Sequence, residues 1–244
     1  MDATKDPKDW APSVEQIIGI QNSDLLIVNG PNARYANWID VSTIPLKLIC
    51  KSCNLFSKGD TISVRDYQIT HTHGPEGEHS HPYTVPYSWL DPSLAAKQAQ
   101  AICIRLCEEY PDYKETFKNN ESELIAELGK LTELARTNSE EVTVVSSSPQ
   151  AKYLTRCLGL KDLHLLAFDN VTPDDLGQME KSLEQWIGEK RISKFVVFQD
   201  TDSELIKLAQ QKNLDVIEVD LLDHAPKEGD FLTVLNSNLK KLID

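Results

Sequence analysis

The apolar positions of this chain first fall at helical spacing. In PSVEQIIGIQNS (12–23), Val14, Ile17, Ile18 and Gln21 recur every 3.6 residues, which predicts a helix entered through Pro12 and Ser13. DLLIVNG (24–30) is a short apolar run closed by Asn-Gly, the pattern of a buried parallel strand followed by a loop. PLKLIC (45–50) suggests another strand. From there to Ser88 the chain is rich in Gly, Pro, His and Asp, and only TISV and YQIT read as strand. A helix is expected after Asp91-Pro92, running to Tyr110, where Pro111 ends or restarts it. Residues 112–137 form a second long amphipathic pattern, with Phe117, Leu124, Leu128, Leu131 and Leu134 on one face.

The last third alternates. VTVVSS precedes a helix through YLTRCLGL, LHLLAF one from Pro173 to Lys190, and KFVVFQD one from Ser203 to Lys212. DVIEVDLL then precedes a final helix from Asp230 to Leu242. Alternation of this kind implies a parallel sheet covered on both faces. The expected class is therefore α/β, two lobes with mainly parallel sheets joined by a long helix. The expected division is 1–110, an N-terminal α/β lobe carrying a His-rich loop, 111–138, a connecting helix, and 139–244, a C-terminal α/β lobe. Such sheets bind ligands at the carboxyl ends of their strands, here Asn29-Gly30, SSSP (146–149) and FQDTD (198–202).

Charge narrows the choice of ligand. The 244 residues carry a net charge of −13, which disfavours nucleic acid or an acidic membrane surface as partner and suits a protein that meets cations. No apolar run reaches the ~20 residues that a membrane-spanning helix needs. The opening MDATKDPKDW has neither the charged nor the apolar region of a signal peptide. Five cysteines, an odd number, do not make a complete disulfide framework. Cys103, Cys107 and Cys157 stand among apolar residues and read as buried and unreactive.

The densest candidate chemistry is HTHGPEGEHSHP, residues 71–82. It holds four of the six histidines, His71, His73, His79 and His81, with Glu76 and Glu78 between the pairs. Zinc takes nitrogen and sulfur ligands in tetrahedral geometry, and two His-x-His pairs joined by a glycine-containing turn supply four imidazoles. Cys50 and Cys53 form a Cys-x-x-Cys, readable as an incidental or structural pair, half of a zinc site, or a redox pair. Asp202, ahead of Ser203 and a helix, reads as an N-cap. Asp200 is a weaker candidate for metal. His164 and His224 stand alone and read as surface or hydrogen-bonded residues. SSSP lacks the context of a serine nucleophile, and no phosphate-binding glycine motif is present.

The order of features resembles the extracytoplasmic metal-binding receptors of zinc and manganese ABC importers. The matching pieces are D-P-K-D-W-x-P-S, D-L-L-I-V-N-G followed by Y-A-N-W, the His-rich loop, W-L-D-P opening a helix, and G-D-F-L-T-V-L-N-S-N-L near the end. The loop is most similar to the subgroup reading T-H-x-H-G-x-E-G-E-H-x-H. The resemblance implies two α/β lobes joined by one rigid helix, with zinc or a related divalent metal between them. It also implies delivery to the membrane subunit of an ABC importer, a non-enzymatic role, a monomer, and a place outside the cytoplasm. Family members carry a signal peptide and an opening strand–helix–strand, so the start is expected to be truncated or misassigned and the first lobe incomplete.

The resemblance places the family's three histidine ligands at Lys8, Tyr87 and Ser148, and its carboxylate at Asp200. An ammonium repels a divalent cation, and serine and tyrosine are weak zinc ligands beside imidazole. Two functions remain open: a zinc receptor whose ligands lie in the His segment, and a degenerate paralogue acting as a zinc buffer or interaction protein. An enzyme working through Cys50 and Cys53, or through the His loop, is the third reading.

Overall fold

A computed structural model describes residues 12–31, 44–72, 78–137, 143–165, 173–189, 192–199 and 201–243. Lys8, His73 and Asp200 lie outside the described residues. The chain divides into two compact units that interleave in sequence. The first comprises residues 1–61 and 84–130, the second residues 62–83 and 131–244. The expected division kept the His-rich segment in the first lobe, whereas here residues 62–83 group with the second unit.

In the first unit, α1 spans Val14–Gln21. Ser13 and Gln16 form a reciprocal capping box: the serine oxygen accepts from the Gln16 N–H, and the glutamine side chain accepts from the Ser13 N–H. β1 (Leu26–Val28) pairs in parallel with β2 (Ile49–Lys51), Ile27 opposite Cys50. The expected strand at 45–50 divides, because Leu46–Leu48 turns as a 3₁₀ helix before β2 begins. Asn29-Gly30 ends β1 with Gly30 at φ +85°, and an added Cβ there would lie 2.6 Å from the Pro86 carbonyl oxygen. Only glycine meets both demands.

α2 runs Pro92–Glu109, opened by proline in its first turn and capped by Asp91, whose carboxylate accepts from the Ser93 N–H. α3 follows at Lys114–Thr137 after a 3₁₀ turn at Pro111–Tyr113. The boundary between the units falls inside α3.

The second unit holds β3 (Ser63–Thr72) and β4 (Glu78–Thr84), which pair with each other. The second half of TISV, Ser63-Val64, and the whole of YQIT fall in one strand, β3. Five residues separate β3 from β4, too few for the crossover that a parallel pair requires, so the pair is a hairpin. At the base of this hairpin the Ile62 N–H donates to the buried Tyr153 hydroxyl at 3.1 Å.

The main sheet of the second unit has four strands, β5 (Thr143–Ser146), β6 (Lys161–His164), β7 (Lys194–Val197) and β8 (Asp215–Glu218). Their spatial order is β6-β5-β7-β8, and every pairing is parallel. β6 begins ahead of the LHLLAF run, since the pairing of Thr143 with Lys161 starts the ladder earlier. Four helices intervene or follow: α4 (Lys152–Cys157), α5 (Pro173–Gly188), α6 (Ser203–Gln211) and α7 (Phe231–Ile243).

Successive strand residues face opposite sides of a sheet. Val145, Phe195 and Val197 enter a core with Met179 and Leu183 of α5 and Leu205 and Leu208 of α6. Their neighbours Val144 and Val196 face the other way and are also fully buried, so both faces are covered. Each such valine contributes about 1.5–3 kcal/mol of burial. The loops at 147–149, 165, 198–199, 201–202 and 219–230 therefore leave one edge of this sheet, where its strands end.

Candidate metal-binding elements

Three places carry the chemistry singled out in the sequence: the hairpin, the carboxyl edge of the second unit's sheet, and the loop after β1 in the first unit.

On the hairpin, His71 is the penultimate residue of β3, while His79 and His81 lie in β4. The pairing of β3 with β4 brings the backbones carrying the two halves of the His segment alongside one another. His73 is outside the described residues.

At the carboxyl edge the polar side chains are tied into local structure. The Ser148 oxygen accepts from the Gln150 N–H at the start of a 3₁₀ turn. Ser147 and Thr201 hydroxyls lie 3.0 Å apart, and Thr201 also accepts from the Phe198 N–H at 2.8 Å. Asp202 caps α6, accepting from the Glu204 N–H at 2.8 Å, the role that its position ahead of Ser203 implied.

Beneath this edge lies Asp162, its side chain 5% exposed. One oxygen accepts from the Ser146 hydroxyl at 2.9 Å, and the other lies 3.8 Å from the Lys152 ammonium with no hydrogen-bond partner. Burial pushes this carboxyl up to about 6, outweighing the pull of Lys152 and Ser146.

In the first unit, Tyr87 precedes a 3₁₀ turn over Ser88–Leu90, and its ring meets Trp89 edge-on at 5.4 Å. Beside it is a polar cluster that the sequence did not disclose. The Gln98 amide donates to Asn29 and, at 3.0 Å, to Ser52, while its oxygen accepts from Ser88. Ser52 in turn donates to Asn29 at 2.7 Å. Cys53 stands against this cluster, its sulfur 3.8 Å from the Gln98 amide and 3.9 Å from the Ser52 hydroxyl.

Burial raises both Cys50 and Cys53, and for Cys53 it prevails over hydrogen bonds from Ser52, Ser88, Gly30 and Gln98. A redox or nucleophilic thiol needs the opposite shift. Cys103 and Cys107 face each other on α2 with sulfurs 3.9 Å apart. Burial, followed by Glu121 and Cys107, pushes Cys103 up to about 12. All five cysteines are free. Among the described residues, no three or more His, Cys, Asp or Glu side chains gather as a metal site. No described helix is long and apolar enough to cross a membrane.

The Gln98 cluster was missed because a buried glutamine inside an amphipathic helix pattern looks like any surface glutamine. Asp162 was missed because it stands second in a strand behind Lys161, where charged residues read as a solvated end. His224 was noticed only as a solitary histidine.

The sequence model of the family described as ZnuA, zinc-uptake complex component A periplasmic, matches residues 1–244. The zinc-binding lipoprotein AdcA of Streptococcus pneumoniae is 25% identical over 98% of this chain and 49% of its own length. The high-affinity zinc uptake system protein ZnuA of Bacillus subtilis is 27% identical over 65% of this chain and 50% of its own. The chain thus spans about half the length of these curated relatives.

Among solved structures, a zinc-bound variant of AdcAII from Streptococcus pneumoniae superposes with a TM-score of 0.76 at 17% identity, covering 100% of this chain and 87% of that one. The solute-binding protein FpvC of Pseudomonas aeruginosa, in complex with Mn²⁺, gives a TM-score of 0.77 at 14% identity, covering 100% and 87%. The fold is that of the metal-receptor type of periplasmic binding protein.

Proposed function

Because the chain belongs to the zinc-uptake complex component A family, we propose that it is an extracytoplasmic receptor that captures zinc and hands it to the membrane subunit of an ABC importer. The observation that carries this reading is the placement of the His segment: residues 71, 79 and 81 lie on two paired strands of one hairpin. Neutral imidazoles are strong ligands for zinc, and several on adjacent strands chelate better than the same residues on a free chain. A net charge of −13 favours the approach of a cation. The relatives named zinc-binding lipoproteins support both the cargo and the location outside the cytoplasm. The protein works as a monomeric binding protein without catalysis, His71, His73, His79 and His81 holding the metal and Asp200 assisting.

A second reading, a zinc buffer or interaction protein without a deep site, is favoured by what stands at the histidine positions implied by the resemblance. Tyr87 packs on Trp89, and the Ser148 hydroxyl is engaged in a turn.

Replacing His71, His73, His79 and His81 together by alanine tests the hairpin, since it leaves β3 and β4 their full length. The expected result is an unchanged far-UV circular dichroism spectrum and loss of most zinc binding. Full stoichiometry in that variant would contradict the role given to the segment.

A further inference from the structure

Cys103 and Cys107 stand one helical turn apart on α2, and their sulfurs face each other at 3.9 Å. Cys103 is buried, while Cys107 is half-buried and reachable from solvent. Residues of α3 close the site from the other side. The Cys107 sulfur lies 3.8 Å from the Lys114 carbonyl oxygen at the start of that helix, and the Cys103 thiol donates to Glu121. All of these residues belong to the first unit.

A disulfide does not suit this pair. Cβ atoms four residues apart on a helix are separated by about 5–6 Å, whereas a disulfide holds them at about 3.5–4.5 Å. A bound ion asks for less. At the metal–sulfur distance of about 2.3 Å that zinc shows, one ion touches both sulfurs whenever they lie within about 4.6 Å of each other. The observed 3.9 Å is inside that limit.

The surroundings of the pair select the ion. Burial comes first among the causes that push the Cys103 thiol up to about 12, followed by Glu121 and Cys107. Each of them opposes negative charge on sulfur, and a cation held between the sulfurs relieves each. The same shift keeps the thiols protonated and poor as nucleophiles, so only an ion that competes strongly for sulfur displaces their protons. Two sulfurs do not complete the four-coordinate shell of zinc. Thiolates select cuprous copper, zinc and iron–sulfur clusters, and of these cuprous copper is the ion that two sulfurs alone can hold.

We propose that Cys103 and Cys107 form a dithiolate site for a soft, thiophilic cation of the cuprous type, made of residues other than the imidazoles of the His segment. As the ion binds, two metal–sulfur bonds form and one proton leaves each thiol. The Glu121 carboxylate adds negative potential beside the pair and favours entry of the cation. The site stands whether or not zinc is the cargo.

The test is an anaerobic titration of the reduced, full-length protein with Cu⁺ held by bicinchoninate, whose colour fades as the protein takes the ion. Zinc is present in excess throughout, so that the imidazoles are filled. The expected result is one equivalent of copper taken from the chelator, with two sulfur neighbours in its X-ray absorption spectrum. Cys107→Ser should weaken that equivalent by roughly a hundredfold or more, beyond what loss of an outer-sphere partner costs, with an unchanged circular dichroism spectrum. Cys53→Ser should leave both affinity and sulfur count unchanged.

A wild type that leaves the copper with the chelator would overturn the inference, as would fewer than two sulfurs around the bound ion. Undiminished affinity in a folded Cys107→Ser would do the same, and so would loss of a sulfur neighbour in Cys53→Ser. If Cys107→Ser fails to fold, the absorption spectra of the wild type and of Cys53→Ser still decide the matter.

Discussion

The two units differ in how completely their buried polar groups are satisfied. In the first, Gln98 serves as a hub, joining Asn29, Ser52 and Ser88 in a closed set of hydrogen bonds. In the second, Asp162 keeps one carboxylate oxygen and His224 one ring nitrogen without any hydrogen-bond partner. These are the two buried side-chain atoms left unsatisfied among the described residues. A closed network rigidifies and has nothing left to offer a ligand. An open one costs stability and leaves chemistry available. The difference assigns a scaffolding role to the polar centre of the first unit. It concentrates unsatisfied hydrogen-bonding and titrating groups in the second, the unit to which the His-bearing hairpin also belongs.

The sharpest way to break this contrast is at the hub. Gln98→Ala removes the shared donor and acceptor of the closed network and opens a cavity, and it should cost roughly 3–4 kcal/mol. A shift in the urea midpoint measures it. A loss under 1 kcal/mol would mean that the network holds nothing together.

Asp162 should show the opposite sign of effect. Its carboxyl is raised to about 6 in the folded protein, chiefly by burial, against about 3.9 in an unfolded chain. The folded state therefore binds the extra proton between these values. The stability this group contributes is present below about pH 4, is lost as pH rises to about 6, and changes no further above that. A gap of about two units corresponds to roughly 3 kcal/mol as an order of magnitude. Asp162→Asn should flatten this part of the pH profile. Comparing urea midpoints of the two proteins at pH 4.5 and pH 7 checks it, and parallel profiles would contradict the buried, unpartnered carboxylate.

The smallest effect is expected at a helix end. Asp91→Ala removes the cap of α2 and should cost about 1 kcal/mol by thermal or urea unfolding. Because the capped N–H groups lie outside the Gln98 network, this loss should add to that of Gln98→Ala. A large non-additive remainder would show that cap and network act as one structure.

Much of the fold was legible because its signals are local. Ser13, Asp91 and Asp202 announce helix starts through hydrogen bonds to residues two or three positions on, and all three caps are present. The alternating strands and helices of residues 143–243 give a parallel sheet covered on both faces, as their pattern implies. What stayed hidden depends on residues far apart in the chain. Gln98 gains its role only because Asn29 and Ser52 meet it, 69 and 46 residues away. The grouping of residues 62–83 with the second unit could not be read from segments that merely follow one another.

The candidate site divides along the same line. The His segment is visible as four imidazoles close together in the sequence, and the structure adds that three of them lie on paired strands. His224 looked solitary, since its unpaired Nε2 is a feature of the folded chain. That does not follow from spacing alone.

The central claim is that the chain binds zinc as cargo. A competitive titration of the metal-stripped, full-length protein with zinc, against a chromophoric chelator of known affinity, addresses it most directly. One tight equivalent per chain, unaffected by excess magnesium, is the expected result. Weak binding at several equivalents, or none, would contradict the claim and leave a receptor fold without a receptor's cargo.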